Sequence, residues 1–253
     1  MVRAFALLCC LVTSVASAMP TVFPSGTTVP ENLLRIEVRL DRPLDAPLDM
    51  RHVALVDAAG KPIVDALLDL PLPSRDGREV TILLHPARIK TGVGANERLG
   101  MALHQGEVVT LVINDPQWGS PIRKSWRVTA AIRKPIAPAS WKVTTPSSGT
   151  RDALQIAFPA ALDSAATDLV AVAGPDGERL PGHAALSDGE TRWSFVPDQA
   201  WTDGQYQIRL HPSLEDPAGN QVCSAFEQVD ESSLDCREST NITFRAKQAS
   251  VLQ

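Results

Sequence analysis

Cysteine is scarce in this chain of 253 residues, and its five histidines are scattered. Two of the four cysteines, Cys9 and Cys10, lie in the first ten residues, which leaves a single pair, Cys223 and Cys236. The histidines form no His-x-x-x-His pair and no Glu-flanked metal motif. A Gly-x-Ser-x-Gly turn, the local signature of a hydrolase serine, is also missing. The sequence therefore predicts no catalytic residue, no metal site and no cofactor.

Basic residues are outnumbered by acidic residues. The chain has 24 Lys and Arg against 29 Asp and Glu, for a formal net charge of -5. Nucleic-acid binding depends on clustered Lys and Arg that neutralise phosphates. Anchoring to an anionic membrane surface depends on a polybasic patch. The acidic balance therefore argues against nucleic acid and against a membrane surface as partners.

The chain has no apolar run of full transmembrane length, and its N-terminus has the form of a secretory signal. Arg3 precedes the apolar stretch 4–15, which is too short to cross a bilayer comfortably. Ala16-Ser17-Ala18 fits the small-x-small cleavage rule. We predict a signal peptide over residues 1–18 that is removed on export, so that no membrane span remains. An uncleaved membrane anchor is the alternative.

The pair Cys223 and Cys236 is expected to form a disulfide, because an exported protein reaches an oxidising compartment. Twelve residues rich in Ser, Glu and Asp separate the two cysteines. Closing a loop of this length contributes about 3 kcal/mol in the chain-entropy model. Two free buried thiols are the alternative. A zinc site is less favoured, since no histidine or third cysteine lies nearby at ligand spacing.

The chain after residue 18 has the pattern of an all-β protein. Twenty prolines disfavour long helices. Apolar residues alternate with a period of two in several short runs, among them 36–40, 80–84 and 206–210. Turns such as Asp76-Gly77 and Asp188-Gly189 separate the runs, since glycine readily supplies a positive φ. Short strands at steady spacing predict β-sandwiches.

The order of these runs repeats once. A strand-like run, a Leu-Asp step and a second apolar run that ends in glycine occur over 35–60 and again over 154–177. A repeat of this length predicts two similar domains in tandem rather than a solenoid. We place the domains at residues 20–133 and 139–247, and the Pro-containing linker between them should hold a preferred angle.

The first domain contains an extra segment, residues 86–100, that lacks strand alternation. The second domain replaces it with the shorter 197–201. Long insertions at the edge of a sandwich often have a function. An ordered cover over one end of the core is the alternative interpretation.

The end of the second repeat resembles a known bacterial domain. Asp216-Pro217-Ala218-Gly219-Asn220 comes after the strand that starts at Gly204 and before the final strand. This Asp-x-x-Gly-Asn turn is typical of the SbsA-type Ig-like domain. The first repeat has Asp115-Pro116-Gln117-Trp118-Gly119-Ser120 in its place. The resemblance implies two tandem Ig-like β-sandwiches in an extracytoplasmic bacterial setting. It implies no catalytic residue and no particular function.

The turn residues Asp216, Gly219 and Asn220 have two interpretations. In the structural one, Asp216 caps the turn while Gly219 and Asn220 take left-handed conformations. In the other, Asp216 and Asn220 lend oxygen atoms to Ca²⁺, but two side chains fall short of the six to eight ligands that this ion needs. We therefore predict a structural turn.

Aromatic residues make up only 5% of the chain. Trp118 and Trp201 lie beside turns, where an exposed indole could stack on a sugar ring. Aromatic residues of a sandwich more often fill its core. Both tryptophans are therefore candidate ligand contacts with a core role as the alternative.

Together these patterns predict a non-catalytic exported protein of the bacterial envelope, periplasmic or extracellular. It would bind or scaffold an envelope protein or a cell-wall component. The alternative is a glycan- or cell-wall-binding module that uses Trp118 and Trp201. A hydrolase with a dispersed site is a third hypothesis, because a triad assembled from distant residues leaves no local motif.

Overall fold

The structure, a computed structural model, describes residues 20–89, 94–222, 224–226 and 241–246. Two α-helices, α1 (Gly94–Leu99) and α2 (Ala166–Leu169), and four short 3-10 helices are present in these ranges, and none of the helices there could cross a membrane. The strands are β1 (Thr21–Phe23), β2 (Thr28–Pro30), β3 (Arg35–Arg39), β4 (Val53–Val56), β5 (Leu72–Pro73), β6 (Glu79–Leu83), β7 (Val108–Ile113), β8 (Ile122–Thr129), β9 (Lys142–Thr144), β10 (Leu154–Ala157), β11 (Val170–Ala173), β12 (Gly182–Ser187), β13 (Arg192–Pro197), β14 (Gly204–Leu210) and β15 (Asn241–Ala246). The predicted signal peptide, residues 1–18, lies outside the described residues and stays a prediction.

Strands β1 to β8 form a first sandwich of two four-stranded sheets. One sheet has the order β1-β3-β6-β5, and the other has the order β2-β8-β7-β4 with β2 parallel to β8. Successive side chains of a strand point to opposite faces of its sheet. Ile36 and Val38 of β3 therefore enter the space between the sheets, where they join a core that includes Leu111 and Trp126.

Strands β9 to β15 form a second sandwich with a core of its own. Its sheets have the orders β12-β13-β10-β9 and β11-β14-β15. Ile156, Trp193, Ile208 and Phe244 belong to its buried cluster. Each half of the chain thus has a separate hydrophobic core. The exact limits 20–133 and 139–247 stay a prediction.

Both sandwiches have the strand order of an immunoglobulin-like domain. In that order the sheet A-B-E-D packs on the sheet C-F-G. Strands β1, β3, β6 and β5 correspond to A, B, E and D, and β4, β7 and β8 correspond to C, F and G. The second sandwich repeats the pattern with β9, β10, β13 and β12 against β11, β14 and β15. The prediction of an all-β fold with two tandem Ig-like sandwiches is confirmed.

The only tyrosine of the chain closes a corner of the second sandwich. Tyr206, near the start of β14, accepts a hydrogen bond from the Thr202 amide at 3.0 Å, and its hydroxyl donates to the Thr202 carbonyl at 3.1 Å. A tyrosine at this point of strand F, bonded to backbone a few residues upstream, is the tyrosine corner of Ig-like domains. It ties the connection between β13 and β14 to the core.

The described start of the insertion 86–100, residues 86–89, packs on the first core. It begins with a short 3-10 turn, Pro86–Arg88, followed by the buried Ile89. The Arg88 guanidinium donates to the carbonyls of Val64 at 2.6 Å and Met101 at 3.1 Å, so it joins the insertion to two other segments. These contacts favour the interpretation of the insertion as an ordered cover over one end of the first core. Residues 90–93 lie outside the described residues.

Candidate functional site at the joint between the sandwiches

The outer face of β3 carries three charged residues that meet the second sandwich. Arg35, Glu37 and Arg39 alternate with the core residues Ile36 and Val38, so they share the opposite face of the strand. Such alternation is typical of a strand with one face in water. Glu37 is nevertheless only 8% exposed. The second sandwich covers this face.

Arg35 pairs with two carboxylates of the second sandwich. Its Nε donates to Asp163 Oδ2 at 3.0 Å, and its Nη2 donates to Glu215 Oε2 at 2.8 Å. The Asp163 amide donates to the Glu215 carbonyl at 2.9 Å, which keeps the two acids adjacent. Burial lowers the pKa of Arg35, but the charges of Asp163 and Glu215 outweigh it and raise the pKa overall. We call the contact formed by these three residues with Glu37 and Ser164 the joint.

Glu37 occupies the least favourable position in the joint. Its Oε1 is 3.5 Å from Arg35 Nε, and the Ser164 hydroxyl donates to its Oε2. Burial raises the pKa of Glu37, and the nearby charge of Asp163 raises it further. The Ser164 hydrogen bond acts in the opposite direction without cancelling the rise. Folding therefore shifts the protonation equilibrium of Glu37 towards the neutral form.

Glu37→Gln is expected to leave the protein at least as stable as the wild type at pH 7. Glutamine keeps an acceptor for Ser164 and removes the buried charge beside Asp163. A raised folded-state pKa means that wild-type stability falls as the pH rises through that pKa. The advantage of the variant should therefore shrink as the pH is lowered towards the ordinary pKa of 4.5. Urea unfolding at several pH values measures it.

The matched control for this prediction is Glu178→Gln. Glu178 is an exposed residue of the turn after β11. This variant should follow the pH dependence of the wild type. A Glu37→Gln protein that is less stable than the wild type at pH 7, with an unchanged pH dependence, would contradict the prediction.

A second buried carboxylate reaches across from the turn that follows β12. Glu190 is 2% exposed and has a φ of 61°. Its oxygens accept from the Ser25 amide at 2.8 Å and the Ser25 hydroxyl at 2.5 Å. Lys124 Nζ donates to the Ser25 carbonyl at 2.5 Å. Buried polar groups are normally paired, and here the pairing joins the two sandwiches.

Two glycines let the backbones of the sandwiches come together at the same edge. A Cβ atom on Gly189 would lie 2.7 Å from the Cα of Gly26. Gly189 also has a φ of 64°, in the left-handed region that favours glycine. Only glycine suits this position without a shift of one backbone against the other.

The turn Asp216–Asn220 lies beside the joint and is closed by hydrogen bonds among its own residues. Asp216 Oδ1 accepts from the amides of Ala218 at 2.9 Å and Asn220 at 3.0 Å, and Oδ2 accepts from Asn220 Nδ2 at 2.8 Å. Burial raises the pKa of Asp216, and these hydrogen bonds lower it in part. The left-handed conformation occurs at Gly219, with a φ of 78°, but not at Asn220, which corrects that expectation.

Two asparagines hold the start of the linker, a role for which the sequence contains no local signal. The Ile132 carbonyl accepts from Asn32 Nδ2 at 2.8 Å and from Asn220 Nδ2 at 3.0 Å. The Ile132 amide donates to Asn32 Oδ1 at 2.9 Å. One asparagine belongs to each sandwich and both are buried. The linker is therefore fixed to both domains.

The two candidate ligand-binding tryptophans lie in different environments. Trp201 is 2% exposed, its Nε1 donates to the Asp152 carbonyl at 2.8 Å, and its ring packs edge-on against Tyr206. It is a core residue, which corrects its assignment as a ligand contact. Trp118 is half-buried and lines an open pocket of the first sandwich. Its role as a ligand contact stays a prediction.

The described histidines make mainly structural contacts. His85 and His211 each accept, through Nδ1, the amide two residues further on at 3.2 Å. His52 Nδ1 is 2.9 Å from the Asn114 carbonyl. Within the described ranges, no three His, Cys, Asp or Glu side chains are grouped as metal ligands. Cys223 and Cys236 lie outside those ranges, so their disulfide stays a prediction.

Comparison with known proteins gives similarity at the level of overall fold only. No protein-family model matches the chain, and no curated protein matches it at a significant level. Domains 5–6 of the S-layer protein SbsC are 10% identical, with 92% of this chain and 99% of that chain covered and a TM-score of 0.28. A chimeric titin Z1Z2 is 12% identical, with coverages of 78% and 92% and a TM-score of 0.25. A type I pullulanase from Bacillus subtilis is 10% identical over 80% of this chain and 24% of its own, with a TM-score of 0.24.

Proposed function

We propose that this chain is a non-catalytic scaffolding protein of the bacterial envelope whose two Ig-like sandwiches act as one rigid unit. The observation that supports this most is the pairing of Arg35 with Asp163 and Glu215 across the joint. The predicted signal peptide supports an exported location, periplasmic or extracellular. The Asp216–Asn220 turn supports membership of the SbsA-type Ig-like domains. The partner would be an envelope protein or a cell-wall component.

The joint differs from an ordinary contact between neighbouring domains. Domains of one chain are expected to move relative to each other unless a large hydrophobic interface holds them, and this joint instead uses charged and polar contacts. Separating these sandwiches would break the ion pairs of Arg35 with Asp163 and Glu215, which are the charged contacts of the joint. The close approach of Gly26 and Gly189 adds a second point of attachment. The angle between the sandwiches is therefore held.

A fixed angle has a direct use in a scaffold. Two binding surfaces at a constant separation can engage one extended partner at the same time, which raises the overall affinity without any new contact. Two flexibly linked domains lose this gain in affinity whenever their binding surfaces point in directions that one partner cannot reach at the same time. The geometry thus supports a role in spacing and orientation rather than in chemistry.

The test is an NMR measurement of domain orientation in the chain without residues 1–18. Residual dipolar couplings of both sandwiches should fit one alignment tensor with the interdomain angle of the structure. Two different tensors would overturn the rigid unit. Reproducible turnover of a substrate from a broad hydrolase panel, abolished by a single substitution, would overturn the non-catalytic assignment.

A further inference from the structure

We propose that strand β12 of the second sandwich pairs with β12 of a second copy of this chain and so joins two molecules in one antiparallel sheet. Strand β12 is an edge of the sheet β12-β13-β10-β9, and only β13 pairs with it among the described strands. An edge strand presents unpaired backbone donors and acceptors to any strand that comes alongside. The strand belongs to the second sandwich alone, so the proposal goes beyond the rigid scaffold and does not depend on the joint.

The register of β12 on β13 identifies the backbone groups that point away from the sheet. Opposite residues of an antiparallel pair alternate between pairs that exchange hydrogen bonds and pairs that do not. The Asp198 amide donates to the Pro181 carbonyl at 3.0 Å, and this pair extends the ladder that begins at Gly182. The amides and carbonyls of Gly182, Ala184 and Leu186 therefore face outwards. None of them has a hydrogen-bond partner among the residues that the structure describes.

An open groove lies along this edge. It has a volume of about 460 Å³ and is lined by Gly182, His183 and Ala184 on one side and by residues of α2 and β11 on the other. His183, Ala185 and Ser187 are exposed, while the residues between them are half-buried. A second strand can therefore approach the edge from solvent.

Most other edge strands of the two sandwiches have features that hinder such pairing. Natural sheets protect their edges with prolines, charged side chains, short strands or covering segments. Strand β1 lies between Pro20 and Pro24, and β5, the counterpart of β12 in the first sandwich, has only two residues, one of which is Pro73. Strands β2 and β9 have three residues each. These edges offer few hydrogen-bonding groups to a partner.

Strands β4 and β11 are each covered by a segment of their own sandwich. The Leu55 carbonyl of β4 accepts from the Ile63 amide at 2.9 Å. The Val172 carbonyl of β11 accepts from the Leu180 amide at 2.8 Å. These bonds occupy groups that a second strand would need.

Strand β12 has none of these protective features. Its six residues, Gly182–Ser187, include no proline and no Lys, Arg, Asp or Glu. Strand β15 is equally long but carries the exposed Arg245, and charged side chains on an edge discourage pairing. Strand β12 is therefore the least protected edge in the part of the chain that the structure describes.

The sequence of β12 suits pairing with a second copy of itself. A two-fold axis at Ala184 places this residue opposite its counterpart and places Gly182 opposite Leu186 of the second copy. Each opposed pair then exchanges two hydrogen bonds, which uses all the outward-facing groups. A Cβ atom on Gly182 would lie 2.5 Å from the Phe195 ring, so this ring offers an apolar surface to the opposing leucine. The contact is isologous, which is the form of a closed two-fold dimer.

No like charges oppose each other in this alignment. His183 lies opposite Ala185 of the second copy, and like charges directly opposite would weaken the pair. Charged residues flank the strand instead, since the exposed Arg179 precedes it and the exposed Asp188 follows it. Antiparallel pairing brings Arg179 of each copy towards the end of β12 that carries Asp188 in the other. Asp188 pairs with Arg192 of its own chain, so this attraction is small and mainly favours the antiparallel direction.

The test is self-association of the chain without residues 1–18. A single strand pair buries less than the roughly 1,600 Å² of a standard interface, so we expect a weak, reversible dimer. Sedimentation equilibrium from low micromolar to millimolar concentration should show the change from monomer to dimer. Amide hydrogen exchange followed by NMR locates the contact. The amides of Ala184 and Leu186 should gain protection as the concentration rises, whereas those of His183 and Ala185, which bond β13, should be protected throughout.

Ala184→Pro removes the central donor without touching the bonds between β12 and β13. Proline is tolerated in an edge strand where its nitrogen faces solvent. Both copies lose the donor, so the dimer should weaken by about tenfold or more, while the midpoint of urea unfolding stays close to that of the wild type. Ala58→Pro is the matched control. Ala58 is exposed in a turn that the Gly60 amide closes onto the Asp57 carbonyl, and proline suits the second position of such a turn. This variant should dimerise like the wild type.

A chain that stays monomeric at millimolar concentration would overturn the proposal, even if its outward amides gain protection when another protein is added. A dimer that Ala184→Pro leaves intact would place the interface elsewhere and would also overturn it. If Ala184→Pro does not fold by circular dichroism, the concentration dependence of the wild-type amides decides. The rigid unit is tested separately, because the dipolar couplings compare the two sandwiches of one chain.

Discussion

Arg35→Ala is expected to destabilise the protein by about 1–5 kcal/mol, between the values for exposed and for fully buried pairs, because the three side chains are 7–24% exposed, and to release the sandwiches from their fixed angle. The substitution leaves Asp163 and Glu215 side by side without a counter-charge, and an uncompensated buried charge is the costly part of a broken ion pair. Equilibrium unfolding in urea measures the stability. Dipolar couplings measure the angle, and they should require separate alignment tensors for the two domains.

The control is Arg245→Ala. Arg245 pairs with Asp203 at 3.3 Å, and both side chains are 61% exposed. Exposed pairs contribute at most about 1 kcal/mol, so this variant should keep both its stability and its domain angle. Adding Asp163→Asn to Arg35→Ala should recover part of the lost stability, because it removes one of the unpaired charges. An Arg35→Ala protein indistinguishable from the Arg245→Ala control would show that the joint does not hold the domains.

Gly189→Ala is expected to cost about 2–5 kcal/mol, as the sum of two effects. A left-handed conformation costs a non-glycine residue roughly 1–2 kcal/mol, and forcing extra volume into a packed contact costs typically about 1–3 kcal/mol. The new methyl group would lie 2.7 Å from the Gly26 Cα, so the backbones must separate. Thermal and urea unfolding measure the loss.

Gly149→Ala is the control that separates the cost of a left-handed backbone conformation from the cost of the steric clash with Gly26. Gly149 also has a left-handed φ, of 81°, but a Cβ there meets no atom within 4 Å. It should lose only the roughly 1–2 kcal/mol of conformational strain and keep the domain angle of the wild type. Equal losses in the two variants would mean that the contact of Gly26 with Gly189 contributes nothing to the joint.

Features that depend on neighbours in sequence were predictable. Alternation of apolar and polar residues with a period of two predicted the strands, because successive side chains of a strand point to opposite faces of its sheet. The repeat of this pattern predicted two sandwiches. The Asp216 turn was equally accessible, since its side chain bonds amides two and four residues away. The conformation of Asn220 was mispredicted, and its side-chain bond to Ile132, a residue distant in sequence, was not predictable from the turn.

The two tryptophans show where such reasoning ends. Trp118 and Trp201 have the same local context, an indole beside a turn. Trp201 is buried because β14 and β15 bring Tyr206 and Phe244 against its ring. Trp118 stays half-buried because its turn lies at an open pocket of the first sandwich. Burial depends on the surfaces that close over a residue, and neighbouring residues do not specify those surfaces.

The sequence by itself determined the strand pattern, the tandem repeat and the turn chemistry, because these follow from backbone preferences and from the alternation of side chains. Only the tertiary structure decided that the charged face of β3 is an interface. Arg35 and Glu37 look like solvent-facing residues in the sequence, and their partners Asp163, Ser164 and Glu215 lie more than a hundred residues away. The packing of one sandwich on the other places these groups together, and burial then shifts the pKa of Glu37 and makes the joint depend on charge pairing.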